Sequence, residues 1–433
     1  RLGASAGIWL KKNGGKRVVI GRDPRLSGSM LGSAIASGFC SAGIDIVSIG
    51  ISPTPCVSFI VRNNEFDLGI VISASHNPAR DNGIKFFNND GKKLDEEHEK
   101  AIEDILGSLS YYKFSESEVG VIEKNDELLN KYAKWVKSFC SDLSGLRIAV
   151  DCSNGAMSFL APEVLQISGA EVLATHCKPD GLNINMKCGA THPENIKQFV
   201  LENKADIGVS FDGDGDRVVF CDEKGQLING DRAMAICAVQ DMKAGKLRPP
   251  IVIGTVMSNG GFENALRDYH IELKRAKVGD KHVYEMMQTT GAKIGGEQSG
   301  HIIFSDYAPT GDGLLTCAIL LSILKQSNKK ASELEPVFDN YPQVLYNLKI
   351  QDGVAWENDA QMLETIKTVE KNFNGAGRVN IRKSGTQPML RLMVEADSEQ
   401  KCEWACELLL KTVLERCSGQ IYSKVELHKS LGE

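Results

Sequence analysis

The chain has 433 residues and a formal net charge of −6, with 42% hydrophobic and 24% charged residues. This composition is typical of a globular protein, and the length predicts about two to four domains, because a single hydrophobic core stops growing well below this size. No basic block or arginine-rich run occurs, which argues against nucleic acid as the main partner. The most apolar helix candidate, Leu314 to Leu324, is too short to span a bilayer, so no membrane partner is expected.

The cysteine pattern indicates the redox environment of the protein. The twelve cysteines are scattered, several lie inside apolar segments, and no Cys-x-x-Cys pair occurs. Buried free thiols in a reducing environment explain this pattern better than disulfides or a zinc site. Because the first residues do not form a signal-peptide pattern, we predict a cytoplasmic protein.

Strand and helix patterns alternate along most of the chain. Residues 17–72, 146–211 and 251–295 each form a unit of strand, helix, strand, helix and strand. The last stretch, residues 361–416, has the pattern helix, strand, strand, helix. The sequence therefore predicts three similar α/β domains with mixed sheets and a small C-terminal α+β domain. The predicted boundaries are 1–143, 144–244, 245–346 and 347–433.

Each α/β unit ends in a strand followed by a polar loop, and ligands of open α/β sheets bind at the carboxyl ends of strands. We therefore expect the three loops to meet in one cleft. The first, called the serine loop, is Ser73-Ala74-Ser75-His76-Asn77-Pro78. It suits a serine hydroxyl that is held out from the sheet and modified, although an ordinary turn uses the same residue types. Lys85 follows closely and would lie near a transferring phosphate or on a solvated strand.

The second loop, called the acid loop, contains Asp212, Asp214 and Asp216. On a straight strand these carboxylates would stand about 7 Å apart, but Gly213 and Gly215 permit positive φ, so the loop can curl. Three adjacent carboxylates repel unless a cation joins them. Oxygen ligands in an incomplete shell favour Mg²⁺, so we predict one Mg²⁺ per chain.

Other interpretations of the acid loop are weaker. A calcium EF-hand needs glycine at the position of Arg217, and the preceding segment is strand-like. An aspartyl-phosphate phosphotransferase favours a small hydroxyl residue or valine where Asp216 stands. Solvated turn acids remain an alternative. Arg217 itself could stabilise charge on a moving phosphoryl group or pair with one of the aspartates.

Two further loops carry candidate substrate ligands. In the sugar loop, residues 295–301, Glu297 and Ser299 stand between glycines and could reach vicinal sugar hydroxyls. His301 could exchange a proton or contact phosphate, and a structural role is equally open. The phosphate loop, residues 382–388, joins two predicted strands and combines charge, hydroxyls and backbone N–H groups into an anion cradle. Its candidate ligands are Arg382, Ser384, Gly385 and Thr386, with Arg391 just beyond.

These four loops, in this order and across essentially the whole chain, resemble the α-D-phosphohexomutase family. The resemblance implies four domains around a deep central cleft. It implies that Ser75 is the phosphorylated serine and that the acid loop holds Mg²⁺ together with the serine phosphate. The sugar loop would bind the sugar, and the phosphate loop with Arg391 would hold the phosphate that is not transferring. Lys85 and His301 would handle proton traffic.

Within the family, the runs Gly296-Glu297-Gln298-Ser299-Gly300-His301 and Arg275-Ala276-Lys277-Val278-Gly279-Asp280 are similar to the branch that acts on glucosamine phosphates. Relatives acting on mannose and glucose phosphates usually carry methionine at Gln298 and histidine at Asp280. The resemblance thus implies interconversion of glucosamine 6-phosphate and glucosamine 1-phosphate in bacterial cell-wall precursor synthesis. The reaction would use a phosphoserine enzyme and a 1,6-bisphosphate intermediate, with hexose 1,6-bisphosphate as activator.

The alternatives are a phosphomannomutase/phosphoglucomutase or a phosphosugar-binding protein without turnover. The expected partner is a small phosphosugar, and a homodimer is left open. Family members usually begin with a segment containing Thr-Asp-Gly-Ile-Arg-Gly, whose arginine enters the active site. The present sequence starts at Arg1-Leu2-Gly3, so we expect that segment to lie before Arg1.

Overall fold

The computed structural model describes residues 1–109, 118–350, 356–383, 389–417 and 419–427. Its first sheet has five strands in the order β4-β3-β1-β2-β5. The strands are β1 (Arg17–Arg22), β2 (Asp45–Ile51), β3 (Leu68–Ile72), β4 (Ile84–Asn88) and β5 (Ile122–Lys124). The helices of this unit are α1 (Leu2–Lys12), α2 (Gly28–Ser41), α3 (Thr54–Asn63), α4 (Glu96–Ser108) and α5 (Glu127–Lys137). Strand β3 is buried along its whole length, which explains its continuous apolar sequence.

The second sheet has the order β10-β9-β8-β6-β7. Its strands are β6 (Arg147–Asp151), β7 (Glu171–Thr175), β8 (Ile207–Phe211), β9 (Val218–Asp222) and β10 (Leu227–Ile228). Its helices are α6 (Leu160–Ile167) and α7 (Pro193–Asn203). Strands β6, β7 and β8 are parallel, whereas β9 runs antiparallel to β8.

The third sheet has the order β12-β11-β13-β14. Its strands are β11 (Ile251–Thr255), β12 (Glu272–Ala276), β13 (Ile294–Gly296) and β14 (Ile302–Phe304). The helices between Gly230 and Ser327 are α8 (Gly230–Lys243), α9 (Gly260–Arg267), α10 (Asp280–Thr290) and α11 (Gly313–Ser327). The apolar helix predicted from residue 314 is α11, and it is buried around most of its circumference. Among the described residues, no helix has the length and apolar character needed to cross a membrane.

The fourth sheet is entirely antiparallel, in the order β16-β17-β15-β18. Its strands are β15 (Gln343–Lys349), β16 (Gly377–Lys383), β17 (Met389–Ala396) and β18 (Gln420–Glu426). Its helices are α12 (Ala360–Phe373) and α13 (Glu399–Cys417). The prediction of three α/β domains with mixed sheets and a C-terminal α+β domain is confirmed, while the predicted domain boundaries stay predictions.

The three α/β units repeat one arrangement that positions the polar loops. In each unit the loop leaves the last parallel strand and returns as an antiparallel neighbour, as in β3–β4, β8–β9 and β13–β14. The sequence pattern did not predict β9 and β14, and it offered a strand at Lys85, in β4, only as an alternative. One buried cluster joins all three units, and it includes Val19, Phe211 and Leu320. The C-terminal unit has a cluster of its own. The three loops therefore stand on a shared, packed base.

Candidate active site

The serine loop and the acid loop meet. Ser75 Oγ donates a hydrogen bond of 2.8 Å to Asp212 Oδ2. The backbone of Ser75 has a φ of 51°, in the left-handed region that residues other than glycine seldom adopt. Its N–H is held by Ser73 Oγ at 2.9 Å. Such unfavourable backbone geometry persists only where surrounding groups impose it, and it is concentrated at functional sites.

Arg25 is the main group that imposes this geometry. It is only 1% exposed, and its five N–H groups donate to one carboxylate and four backbone carbonyls. The acceptors are Asp23 Oδ2 (2.8 Å) and the carbonyl oxygens of Ser75 (2.8 Å), Asn77 (2.8 Å), Asp81 (3.0 Å) and Pro78. Asp23 in turn accepts a 2.6 Å hydrogen bond from Ser73 Oγ. Because every N–H group of this rigid guanidinium has an acceptor, Arg25 holds the backbone of the serine loop in one conformation.

The second unit also grips the serine loop. Asn185 Nδ2 donates to the carbonyl oxygens of Ser75 at 2.9 Å and Asn77 at 3.1 Å. Neither Arg25 nor Asn185 was among the predicted site residues. For Arg25 a signal existed, because it follows β1, the parallel neighbour of β3, so its loop shares the sheet edge with the serine loop. For Asn185 the sequence offers no comparable signal.

The acid loop curls as predicted. One carboxylate oxygen from each of Asp212, Asp214 and Asp216 lies within 4.8 Å of the others, and all three residues are buried. The two glycines differ from the expectation, because only Gly215 has a positive φ among the described torsions, at 73°. Gly213 instead lets the acid loop pack closely against the serine loop, since a Cβ at this position would lie 2.6 Å from the carbonyl oxygen of Ser75. These oxygens form a set of ligands that could hold a metal ion.

Lys85 lies among the same carboxylates. Its Nζ is 2.7 Å from Asp214 Oδ2 and 3.6 Å from Asp216 Oδ2. Burial acts to lower the pKa of Lys85, but Asp214 and Asp216 outweigh it and raise the pKa above its ordinary value. Thr54 Oγ1 donates to Asp214 Oδ2 as well. This environment favours a fixed positive charge at Lys85 over a role in proton transfer.

Two histidines near the acid loop have opposite pKa shifts. Burial, followed by Arg217, lowers the pKa of His76 to about 4, and its Nδ1 lies 3.4 Å from Ser75 Oγ. For His301, burial acts to lower the pKa, but Asp216 and Asp280 raise it above its ordinary value. His301 Nδ1 lies 3.7 Å from Asp216 Oδ1. His76 is thus neutral at neutral pH, and sequence reasoning did not include it among the site residues although it belongs to the serine loop.

The sugar loop lies beside the acid loop. Gly300 N–H donates to the Glu297 carbonyl at 3.0 Å, closing a tight turn. Glu297 Oε1 accepts a 2.9 Å hydrogen bond from the N–H of Gly279. Ser299 Oγ is buried and has no hydrogen-bond partner among the described residues. An unsatisfied buried hydroxyl next to a cavity is suited to a ligand with polar groups.

Arg382 and Arg391 face each other across the β16–β17 pair. Burial and the charge of Arg391 both lower the pKa of Arg382. Like charges directly opposite in a sheet are unfavourable unless an anion lies between them. The remaining predicted ligands of the phosphate loop, Ser384, Gly385 and Thr386, lie outside the described residues.

A cavity of about 780 Å³ connects these elements. Its lining includes His76 from the serine loop, Arg217 after the acid loop, Ser299 from the sugar loop and Val425 from β18. All four units therefore contribute to one cleft. Residues 182–197 of the second unit supply much of the remaining wall.

The chain matches four family models in order. They are Phosphoglucomutase/phosphomannomutase, alpha/beta/alpha domain I over residues 1–113, domain II over 126–225, domain III over 229–341 and the C-terminal domain over 345–407. The chain therefore belongs to the phosphoglucomutase/phosphomannomutase family. The family resemblance inferred from the four loops is confirmed.

Curated relatives with high sequence identity belong to one branch of this family. The phosphoglucosamine mutase of Alkaliphilus oremlandii is 44% identical over 423 residues, which cover 96% of this chain and 94% of that protein. The phosphoglucosamine mutase of Thermoanaerobacter sp. is 45% identical over 402 residues, covering 92% and 90%. Among solved structures, a phosphoglucomutase/phosphomannomutase family protein from Burkholderia thailandensis has a TM-score of 0.79 at 26% identity and covers 96% of this chain and 92% of its own.

Proposed function

We propose that the protein is a phosphoglucosamine mutase, which interconverts glucosamine 6-phosphate and glucosamine 1-phosphate. The observation that carries the proposal is the 2.8 Å contact of Ser75 Oγ with Asp212 beside two further buried carboxylates. Relatives named phosphoglucosamine mutase at 44% and 45% identity support the choice of substrate. The proposal also places the reaction in the cytoplasm. It divides the chain into the four domains predicted from the sequence.

Asp212, Asp214 and Asp216 would hold one Mg²⁺ together with an oxygen of phosphorylated Ser75. The residues fit such an ion, because Asp214 Oδ1 and Asp216 Oδ1 are buried without a hydrogen-bond partner in the described part of the chain. Ligands that are all oxygen select a hard cation. When bound, the ion would neutralise charge on the transferring phosphoryl group.

In the first half-reaction, the free 1-hydroxyl oxygen of glucosamine 6-phosphate attacks the phosphorus of phosphoserine 75. A new O1–P bond forms, the bond between Ser75 Oγ and phosphorus breaks, and the hydroxyl proton passes by way of a nearby base to the released Ser75 Oγ. Lys85 would polarise the phosphoryl group, and Arg217 would stabilise its charge. His301, whose Nδ1 lies 3.7 Å from Asp216, would take or return the proton.

In the second half-reaction, the glucosamine 1,6-bisphosphate has turned in the cleft. Ser75 Oγ attacks the phosphorus at O6, the P–O6 bond breaks, and the proton of the Ser75 hydroxyl passes by way of a nearby base to O6. The phosphoserine is restored and glucosamine 1-phosphate leaves, so atoms and charge balance over the cycle. Glu297 and Ser299 would bind sugar hydroxyls in both orientations. The phosphate that is not transferring would rest on Arg382, Ser384, Gly385, Thr386 and Arg391.

A direct assay tests this proposal. Protein with Mg²⁺ and a catalytic amount of glucose 1,6-bisphosphate, which acts as activator by phosphorylating Ser75, is given glucosamine 6-phosphate, and ³¹P NMR follows the 1-phosphate. We expect conversion in both directions to one equilibrium ratio. A higher kcat/KM for glucose or mannose phosphates would favour a phosphoglucomutase/phosphomannomutase. Binding of the phosphosugar without any exchange between positions 1 and 6 would favour a binding protein.

A further inference from the structure

Two cations in the cavity wall have no role in the chemistry described so far. Lys187 lies in the segment between β7 and α7, and Lys197 lies in α7. Both line the 780 Å³ cavity, yet neither belongs to the serine, acid, sugar or phosphate loop. Within the described ranges, neither ammonium group forms an ion pair with a carboxylate. Their charge is thus available to a ligand in the cavity.

We propose that Lys187 and Lys197 form a holding site for the sugar bisphosphate while its two phosphates exchange places. The inference rests on the proposed function, because only a mutase needs its intermediate to turn. During the turn, one phosphate has left the Ser75 site and the other has left Arg382 and Arg391. At that stage neither phosphate is bound at its specific site, and the intermediate would escape unless another interaction retained it.

The cavity has the size that this role requires. Sites for drug-sized ligands measure about 300–1,000 Å³, and a monosaccharide bisphosphate is at the small end of that class, so 780 Å³ leaves room to rotate. The cavity extends from His76 beside Ser75 to Ser299 and to Val425 of the C-terminal unit. It therefore begins beside the Ser75 site and reaches the C-terminal unit that carries Arg382 and Arg391.

The lining has the charge that this role requires. Lys187, Lys197 and Arg217 oppose one carboxylate, Glu194, which lies 3.1 Å from His192 Nδ1. A concave surface of one sign attracts a polyanion without fixing its orientation. Lysine suits such retention because its ammonium is a point charge on a flexible stem, whereas an arginine fork would fix one geometry. Apolar residues such as Pro78 and Met186 complete the wall.

The bisphosphate carries two phosphate groups, so removing the lysines should affect the intermediate more than either monophosphate. The test uses full-length phosphoprotein with labelled phosphate on Ser75, mixed with glucosamine 6-phosphate and excess unlabelled glucose 1,6-bisphosphate. Retained intermediate delivers its label to glucosamine 1-phosphate. Escaped intermediate appears as labelled free bisphosphate, because the unlabelled activator blocks its return.

In the double variant Lys187→Ala/Lys197→Ala, labelled free bisphosphate should rise about threefold to tenfold, since two partly exposed charge contacts are each worth a factor of a few. The rate at which label leaves Ser75 should not change. The matched control is Lys224→Ala/Lys246→Ala, which removes the same charge outside the cavity lining and should behave as the parent. In the parent, escape should increase with ionic strength, and this dependence should be weaker in the cavity variant.

Equal partition of label in the parent and in both double variants would overturn the inference. Slower loss of label from Ser75 without added escape would also overturn it, because the lysines would then act in the first transfer. A parent protein that transfers no label would overturn the proposed function, and this inference with it.

Discussion

Arg25 Nη2 donates a 2.8 Å hydrogen bond to the carbonyl oxygen of Ser75, across fifty positions of sequence. Among the described hydrogen bonds of the guanidinium none goes to Ser75 Oγ, yet together with Asn185 it holds the backbone that aims this oxygen at Asp212. Hydrogen bonds to the backbone of the serine loop thus set the orientation of Ser75 Oγ, the proposed nucleophile. Arg25 acts as a positioning residue.

Replacing Arg25 with lysine should lower kcat on the order of 10²-fold with little change in KM, because a small misplacement of reacting atoms costs about that much. Lysine keeps the charge beside Asp23 but cannot reach four carbonyls. Steady-state kinetics and thermal unfolding check the result. The control is Arg22→Lys, since Arg22 donates only to the Asp23 carbonyl, at 3.2 Å, among its described hydrogen bonds. Equal kcat in both variants would remove the positioning role.

Ser75→Ala should abolish turnover and leave the fold intact, because the hydroxyl contributes one hydrogen bond to Asp212 and no core packing. Intact-mass spectrometry after treatment with glucose 1,6-bisphosphate should show one phosphate on the parent and none on the variant. Ser73→Ala serves as the comparison, and it should retain the phosphate at a reduced rate. Near-parental turnover without Ser75 Oγ would reopen the aspartyl-phosphate mechanism.

Asp214→Asn should weaken Mg²⁺ dependence and slow transfer by ~10³-fold or more, as for other removals of positioned charge around a phosphoryl group. The change also deprives Lys85 of its 2.7 Å partner. Activity measured across a Mg²⁺ titration checks the result, with the exposed Asp126→Asn as control. An unchanged titration curve would exclude Asp214 from the metal site.

Arg391→Ala should chiefly raise KM, because a static phosphate grip acts alike in the ground state and the transition state. A charged hydrogen bond is worth roughly 1.5–3 kcal/mol, so kcat/KM should fall about tenfold to a hundredfold. The loss should be equal for the 1-phosphate and the 6-phosphate, and Lys383→Ala, beside Glu357 at 3.8 Å, should cost little. A loss confined to one isomer would contradict a single shared grip.

Asp312, which lies outside the four loops, gives a pH-dependent prediction for stability. It caps α11 by accepting from Leu315 N–H at 2.9 Å and from Tyr132 Oη at 2.8 Å. Burial raises its pKa from 3.8 to about 6. The folded state therefore binds this proton more tightly than the unfolded chain, and the stability contributed is lost as pH rises from about 4 through about 6.

Asp312→Asn should match the parent near pH 4 and be more stable by up to about 3 kcal/mol above pH 7, because the amide cannot ionise. Urea unfolding at several pH values measures this difference. Asp359→Asn is the contrasting control, since a hydrogen bond from Arg416 lowers the pKa of Asp359, the partly buried cap of α12. Loss of the Asp359 carboxylate should therefore destabilise the protein at neutral pH. The same pH dependence in parent and Asp312→Asn would contradict the prediction.

Much of the architecture follows from local sequence. The continuous apolar run of β3 predicts a strand buried on both faces, and the polar residues after it predict a loop at the sheet edge. The alternation of aspartate and glycine predicts a curled cation site in the same way. These patterns are readable because each depends on neighbours within a few positions. The returning strand β14 was missed because three residues carry too weak a periodicity.

By itself, the sequence determined the alternation of the main strands and helices, the family and the set of acids that could hold a metal. Only the tertiary structure decided how these groups act. The left-handed backbone of Ser75 depends on Arg25 and Asn185, which lie 50 and 110 positions away. The opposite pKa shifts of His76 and His301 arise from burial and from charges on separate segments. Burial and charge act through space, so packing alone sets them.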